Sequence, residues 1–299
     1  MESGVKGANE KVFQTIITAF LFILALLAIL PFMLLISSSL TEEKSLLSEG
    51  YNFITTHFSA YAYKYLFLSN GAKIFRSYGI TFFITVAGTA VSLIIGPLLA
   101  YPMSRADYPR RKIVTLLVVF TMLFNGGVVP SYLMWTQIFH LKNTIWALVF
   151  PNLLFNGFYI ILYKNNFKAN IHPALIEAAK IDGAGEFFIY RKIVLPLSTP
   201  ILATIGLMVG LGYWNDWTNG LYYISDNRLY SLQLLLNSII NNISALATMS
   251  TSATLGQSDM PGTGIRMAMA VIGVIPIIIL YPFFQKYFIK GIAIGGVKE

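Results

Sequence analysis

The chain has 299 residues, of which 56% are hydrophobic and only 11% charged, with a mean hydropathy of +0.67. That is too apolar for a water-soluble globular domain of this length. The net charge of +8 does not mark a nucleic-acid binder, because Lys and Arg cluster in alternate connections between apolar stretches, and the absence of cysteine excludes disulfides and thiol chemistry.

Six stretches, at residues 12–36, 77–103, 113–139, 144–163, 199–220 and 265–289, approach or exceed the roughly 20 residues that cross a bilayer core. They predict an all-α, polytopic membrane helix bundle of six transmembrane helices in a single domain. One set of connections carries Lys6, Lys11, Arg105, Arg110, Arg111, Lys112, Lys164, Lys168, Lys180, Arg191, Lys192, Lys286, Lys290 and Lys298. The other carries Lys44, Lys64, Lys73, Arg76, Lys142, Arg228 and Arg266. The positive-inside rule makes the first set, and with it both termini, cytoplasmic, with anionic lipid as a minor partner.

In chain order, the first stretch is about twice as long as a signal-peptide core and reads as a retained span. External residues 37–76 contain Phe53, Phe58, Tyr61, Tyr63, Tyr65 and Phe67, as expected of a segment lying at the outer interface. In the second span Gly88 and Gly96 allow close helix packing. Asn125, Gly126, Gly127 and Pro130 interrupt the third. The interruption fits either a kink beside a translocation path or a helix end followed by an interfacial helix. The fourth span holds Asn156 and Tyr159 amid apolar residues.

Residues 170–198 form the longest polar interval between two strongly apolar segments. Pro173 suits a first helical position, and Gly183 and Gly185 can take the left-handed conformation that ends a helix, which predicts one short helix over residues 173–183. On it Ala179 lies four residues from Gly183 and Ala178 four from Asp182, leaving a strip of small side chains that another protein could approach closely. Pro196 and Pro200 stiffen the passage into the fifth span. Residues 221–264 form a second external loop, in which 231–243 predicts a helix lying flat on a surface with Leu232, Leu235, Leu236 and Ile239 on one face. Residues 248–264, rich in Ser, Thr and Gly, predict a mobile or partner-ordered loop.

The chain lacks a G-x4-G-K-[ST] phosphate loop and a G-x-S-x-G elbow, and His57, His140 and His172 have no ligand spacing. It is therefore not expected to be an enzyme, nor to hold a metal or other cofactor. Trp214, Asn215, Asp216, Trp217 and Asn219, at the far end of the fifth span, suit a sugar. Indole faces accept its C–H surface, and amide and carboxylate groups accept its hydroxyls. Asn125, Tyr132, Asn156 and Tyr159 are further candidates.

Glu177, Ala178, Ala179 and Gly183, followed by Ile193, Leu195 and Pro196, give E-A-A-x3-G and then I-x-L-P. This resembles the signature of ABC importer permeases. With Asp182 and Ala184 it resembles the carbohydrate-uptake branch, the maltose-permease-like subunits, departing mildly at Tyr190, where that branch commonly has Phe. Residues 124–164 are similar to the permeases that import oligosaccharides cut from polysaccharides such as alginate or pectin. The resemblance implies a type I importer permease fold in a bacterial plasma membrane. It also implies a second homologous permease, two ATPase subunits carrying ATP and Mg, and an extracellular sugar-binding protein. Glu177, Ala178, Ala179, Asp182, Gly183, Ala184 and Pro196 would couple the chain to an ATPase. The opposing class is a self-sufficient secondary transporter, which would want coupling acids or a broken-helix ion site near the midplane; the spans offer little beyond Asp216.

Overall fold

The computed structural model describes residues 8–55, 57–151, 154–250 and 262–295. Among these residues the fold is all-α, with one isolated bridge between Thr41 and Phe58. Two compact units are present, Met1–Gly71 with Ile240–Ile275, and Ala72–Ile239 with Pro276–Glu299.

In the first unit, α1 (Ala8–Ser39) is apolar all round, and its spanning stretch has no buried face within the protein. A helix of that kind has lipid as its solvent. A short helix, α2 (Glu43–Glu49), follows, and α3 (Tyr61–Ser104) begins soon after. The aromatic segment expected to lie along the interface therefore runs from Tyr61 onward in the first turns of a 44-residue helix. A segment with helical sequence on both sides of the membrane boundary need not break there, and hydropathy alone does not register its continuation. The carboxylate of Glu43 accepts from the backbone N–H groups of Gly262 (3.2 Å), Thr263 (2.8 Å) and Gly264 (2.8 Å) at the start of α13 (Thr263–Gly295). These are orphan donors of a helix start, and a carboxylate there also meets the positive end of the helix dipole.

The second unit contains α4 (Arg111–Leu123), α5 (Val128–Leu133), α6 (Gly157–Asn170), α7 (Pro173–Ile181), α8 (Glu186–Ile189), α9 (Leu195–Leu197), α10 (Thr199–Asn215) and α11 (Thr218–Tyr223). π-Turns at Met134–Ile138 and Tyr190–Val194 continue α5 and α8. The third apolar stretch is bent by 112° between α4 and α5, so the helix ends at Leu123 and a second one departs. Gly127, at φ +86° and ψ 179°, makes that turn, in a nearly glycine-only region that costs other residues on the order of 1–3 kcal/mol.

The fourth apolar stretch is not one helix. A 3-10 turn at Ile145–Leu148 precedes α6, which starts at Gly157 and runs to Asn170. Its apolar run had no periodicity to separate a helix from a buried irregular segment. Residues 231–243 are helical, within α12 (Leu232–Ser250). Their apolar face does not lie on a bilayer, since Leu232, Leu235, Leu236 and Ile239 are all buried in protein. Of the stretch 248–264, residues 251–261 lie outside the described residues.

α3 and α10 run side by side at very short range. A Cβ on Gly88 would fall 2.2 Å from the Tyr213 ring, one on Gly206 would meet Leu93 at 3.2 Å, and one on Gly210 would meet Thr89 at 3.4 Å. The fully buried Tyr213 lies over Gly88 and donates its hydroxyl to the carbonyl of Val149 at 2.8 Å. Around this pair a core gathers Ala100, Met103, Tyr163, Phe167, Ile176, Ile189 and Val194.

Candidate functional site

The segment that follows α6 is built by local signals at both ends. His172 caps α7, its Nδ1 accepting from Ala174 N–H at 3.3 Å, and Pro173 occupies the first turn. At the other end Gly183 stands at φ +79°, its N–H donating to Lys180 O (3.0 Å), while Ala184 N–H donates to Ala179 O (2.9 Å). That is the Schellman arrangement, with glycine at the left-handed position. Nothing lies within 4 Å of a Cβ added at Gly183, so its conformation and not crowding requires glycine. After Ser198 the chain turns by 79° into α10.

One side chain of α7, Ile176, enters the core that also holds Tyr213 and Val194, while Ala179 and Ala184 pack at its edge. Glu177, Ala178, Asp182, Gly183 and Pro196 are exposed. So are large apolar groups, Ile181 at 87%, Phe187 at 68% and Phe188 at 55%. Bulky apolar side chains left this exposed on a polar segment are unusual for a surface that meets only water.

A polar network holds this segment to the end of α3. Asp107 receives a bidentate pair from Arg105 (2.8 and 2.6 Å) and a third bond from Lys180 Nζ (3.0 Å). Glu186 accepts from the Tyr101 hydroxyl at 2.6 Å and pairs with Lys180 at 2.9 Å and Arg105 at 3.6 Å. The Arg105 guanidinium holds the Asp107 carboxyl well below the usual carboxylate range, and Lys180 adds to this. Hydrogen bonds from Tyr101 and then Lys180 lower Glu186. The sequence marks Arg105 only as one of the basic residues of the cytoplasmic connections and singles out neither Asp107 nor Glu186. The available signal was an acid set within a basic run.

Both carboxyls sit below their ordinary values of 3.8 and 4.5. The stabilisation they contribute is therefore present above those values and lost as pH falls through and below them. Backbone protection of α7 is expected to be flat from neutral pH down to about pH 5 and to fall in more acidic solution. Arg105→Gln should lower that protection severalfold already at pH 7, as read by hydrogen exchange corrected for intrinsic rate. Because the carboxylates are half exposed, the loss should be about 1 kcal/mol.

The second candidate cluster surrounds the break between α10 and α11. Asp216 Oδ1 accepts from Thr218 N–H (3.0 Å) and Asn219 N–H (3.3 Å), starting α11, and its other carboxylate oxygen is buried. Asn219 is buried and donates to Pro151 O at 2.9 Å. Trp214 is buried beside Tyr78, with ring centroids 6.3 Å apart, whereas Trp217 is 41% exposed and Asn215 is exposed. The same helix-starting geometry recurs at Asn156, whose side chain accepts from Phe158 N–H, and a turn of the same kind at Asn125, which accepts from Gly127 N–H. Tyr132 stacks on Tyr223 at 5.9 Å in the cluster that includes Val149. Tyr159 packs against the core around Tyr213. Asn219 is thus tied to Pro151, and Tyr132 packs in the cluster that includes Val149. Asn125 and Asn156 each turn the backbone locally, and Tyr159 packs against the core cluster that holds Tyr213. Among the described residues no three Asp, Glu or His side chains are grouped to hold a metal ion.

Residues 74–294 match the family described as binding-protein-dependent transport system inner membrane component, and the chain belongs to that family. It is 39% identical over 290 residues to the polygalacturonan/rhamnogalacturonan transport system permease protein of Bacillus subtilis (strain 168), covering 97% of this chain and 99% of that one. It is 28% identical over 292 residues to the melibiose/raffinose/stachyose import permease protein of the same organism, covering 95% and 96%. Among solved structures it is similar to a chain of a bacterial ABC transporter involved in the import of the acidic polysaccharide alginate. That match has a TM-score of 0.76 and 27% identity and covers 96% of this chain and all of the other.

Proposed function

We propose that the chain is the membrane-spanning permease subunit of an ATP-driven importer that carries a sugar or oligosaccharide, delivered by an extracellular binding protein, into the cytoplasm. The observation that carries this reading is near full-length similarity to permeases named for polygalacturonan, rhamnogalacturonan and raffinose-type sugars. On this reading α7 seats in a cleft of an ATPase subunit. Glu177 is its polar contact, Ala178, Ala179 and Gly183 permit the close approach, and Ile181, Phe187 and Phe188 are covered by the partner. Asp182 and Ala184 complete the helix end, and Pro196 passes its displacement to α10 across the Ser198 turn. Two ATPases, holding ATP and Mg, and a second homologous permease complete the assembly, with both termini of this chain cytoplasmic. Trp217 and Asn215 are the members of the 214–219 cluster free to meet sugar directly, and Trp214, Asp216 and Asn219 hold them in place. Asn125, Tyr132, Asn156 and Tyr159 would shape the path.

Affinity purification of the full chain from native membranes should bring down ATPase subunits, two for each copy of this chain. Recovery of the chain without any nucleotide-hydrolysing partner would end the importer reading.

A further inference from the structure

The beginning of α4 is electrostatically unfavourable as it stands. Arg110, Arg111 and Lys112 crowd its first turn, no acidic residue is there, and no side chain caps it. The first turn of a helix already carries unpaired N–H groups and the positive end of the dipole, so cations there are destabilising and an anion is favoured. On the neighbouring α6, Lys164 and Lys168 are four residues apart on one face, a like-charge pair that costs a few tenths of a kcal/mol. Among the described residues none of Arg111, Lys112, Lys164 and Lys168 has a carboxylate partner.

These four cations share a groove of about 400 Å³ between α4 and α6, and no acidic residue lines it. The two helices meet tightly at the opposite end, where a Cβ on Gly157 would lie 2.7 Å from Met122 Cγ and 3.2 Å from Val118 O. The groove is therefore a wedge at the basic end of an antiparallel pair. Its walls continue into Leu116 and Val119. Beyond them Ile113, Leu117 and Phe120 are more than half exposed, as expected for a surface in contact with acyl chains.

We propose that this groove binds an anionic phospholipid, its phosphate among Arg111, Lys112, Lys164 and Lys168 and an acyl chain along Leu116 and Val119. The occupant must be both anionic and apolar. Free phosphate would satisfy the cations and leave the apolar wall uncovered, and a zwitterionic lipid would cover the wall without neutralising four charges. The proposal rests on the membrane placement of the chain and not on its substrate or its ATPase.

The test is native mass spectrometry of the full-length chain, purified with whatever subunits accompany it, titrated with phosphatidylglycerol or phosphatidylcholine. Phosphatidylglycerol should bind preferentially. The triple variant Lys112→Gln, Lys164→Gln, Lys168→Gln should weaken it on the order of 100-fold, at roughly 1 kcal/mol per basic residue, leaving phosphatidylcholine unchanged. Lys142→Gln should alter neither, and Leu116→Asn should weaken phosphatidylglycerol severalfold with the cations intact. Equal binding of the two lipids, or full phosphatidylglycerol binding by the triple variant, would overturn the proposal. So would displacement of the lipid by millimolar inorganic phosphate, or loss of an accompanying protein subunit from the triple variant with lipid binding unaltered.

Discussion

Combining Gly183→Asp with Glu177→Ala is expected to abolish ATP-driven uptake while the spans remain folded. Gly183 sits at φ +79° with nothing crowding it, so aspartate can be accommodated sterically. It costs about 1 kcal/mol of backbone strain and adds a charged side chain to the strip proposed to enter the ATPase cleft. Glu177→Ala removes the polar contact proposed for the same surface. Only Ile176 of α7 reaches the interior core, so the double variant should melt within about 2 kcal/mol of the parent. The measurement is substrate-stimulated ATP hydrolysis by the purified assembly together with a thermal melt. Unchanged stimulated hydrolysis would remove the coupling role from α7, and a collapsed melt would show that its role is structural.

The second large effect separates two tryptophans that lie three residues apart. Trp214→Ala deletes an indole that is 6% exposed and ringed by Tyr78, and cavities of that kind typically cost about 3–5 kcal/mol. Trp217→Ala deletes one that is 41% exposed, so its cost to stability should be on the order of 0.5 kcal/mol. If Trp217 meets sugar, its loss should raise the apparent KM for uptake roughly tenfold or more at unchanged expression, the scale of one lost stacking contact plus its desolvation. Uptake kinetics and melting of the two variants, measured side by side, give the answer. A Trp217→Ala chain with parental kinetics would take that residue out of the path.

What could be read from the sequence follows the range of the interactions involved. The limits of α7 were legible because Pro173 and Gly183 act on their own backbone neighbours. The close packing of Gly88 was legible in kind, though not its partner, because a small residue in an apolar helix states a need for space without naming what fills it. The burial of Trp214 depends on Tyr78, and the hold on α7 depends on a pair between Asp107 and Lys180 that is 73 residues apart in the chain. No local pattern encodes either one. The fourth apolar stretch misled for a different reason: hydropathy counts residues that avoid water and does not distinguish a spanning helix from a buried irregular segment. The polar candidates Asn125, Asn156 and Asp216 stand out in the sequence as exceptions in apolar surroundings. Each nevertheless spends a side-chain oxygen on turning the backbone, which is a structural use that composition cannot separate from ligand contact.

The network beneath α3 also bears on how the chain is made. The groups that hold Lys180 and Glu186, namely Tyr101, Arg105 and Asp107, all precede them in the sequence. The bonds that start and stop α7 close over two to five residues. During synthesis this helix can therefore form and be fastened to the end of α3 before α10 has left the ribosome. The last spans would then be inserted against a platform already in place, and a variant such as Arg105→Gln would tax assembly of the nascent chain before it taxes transport.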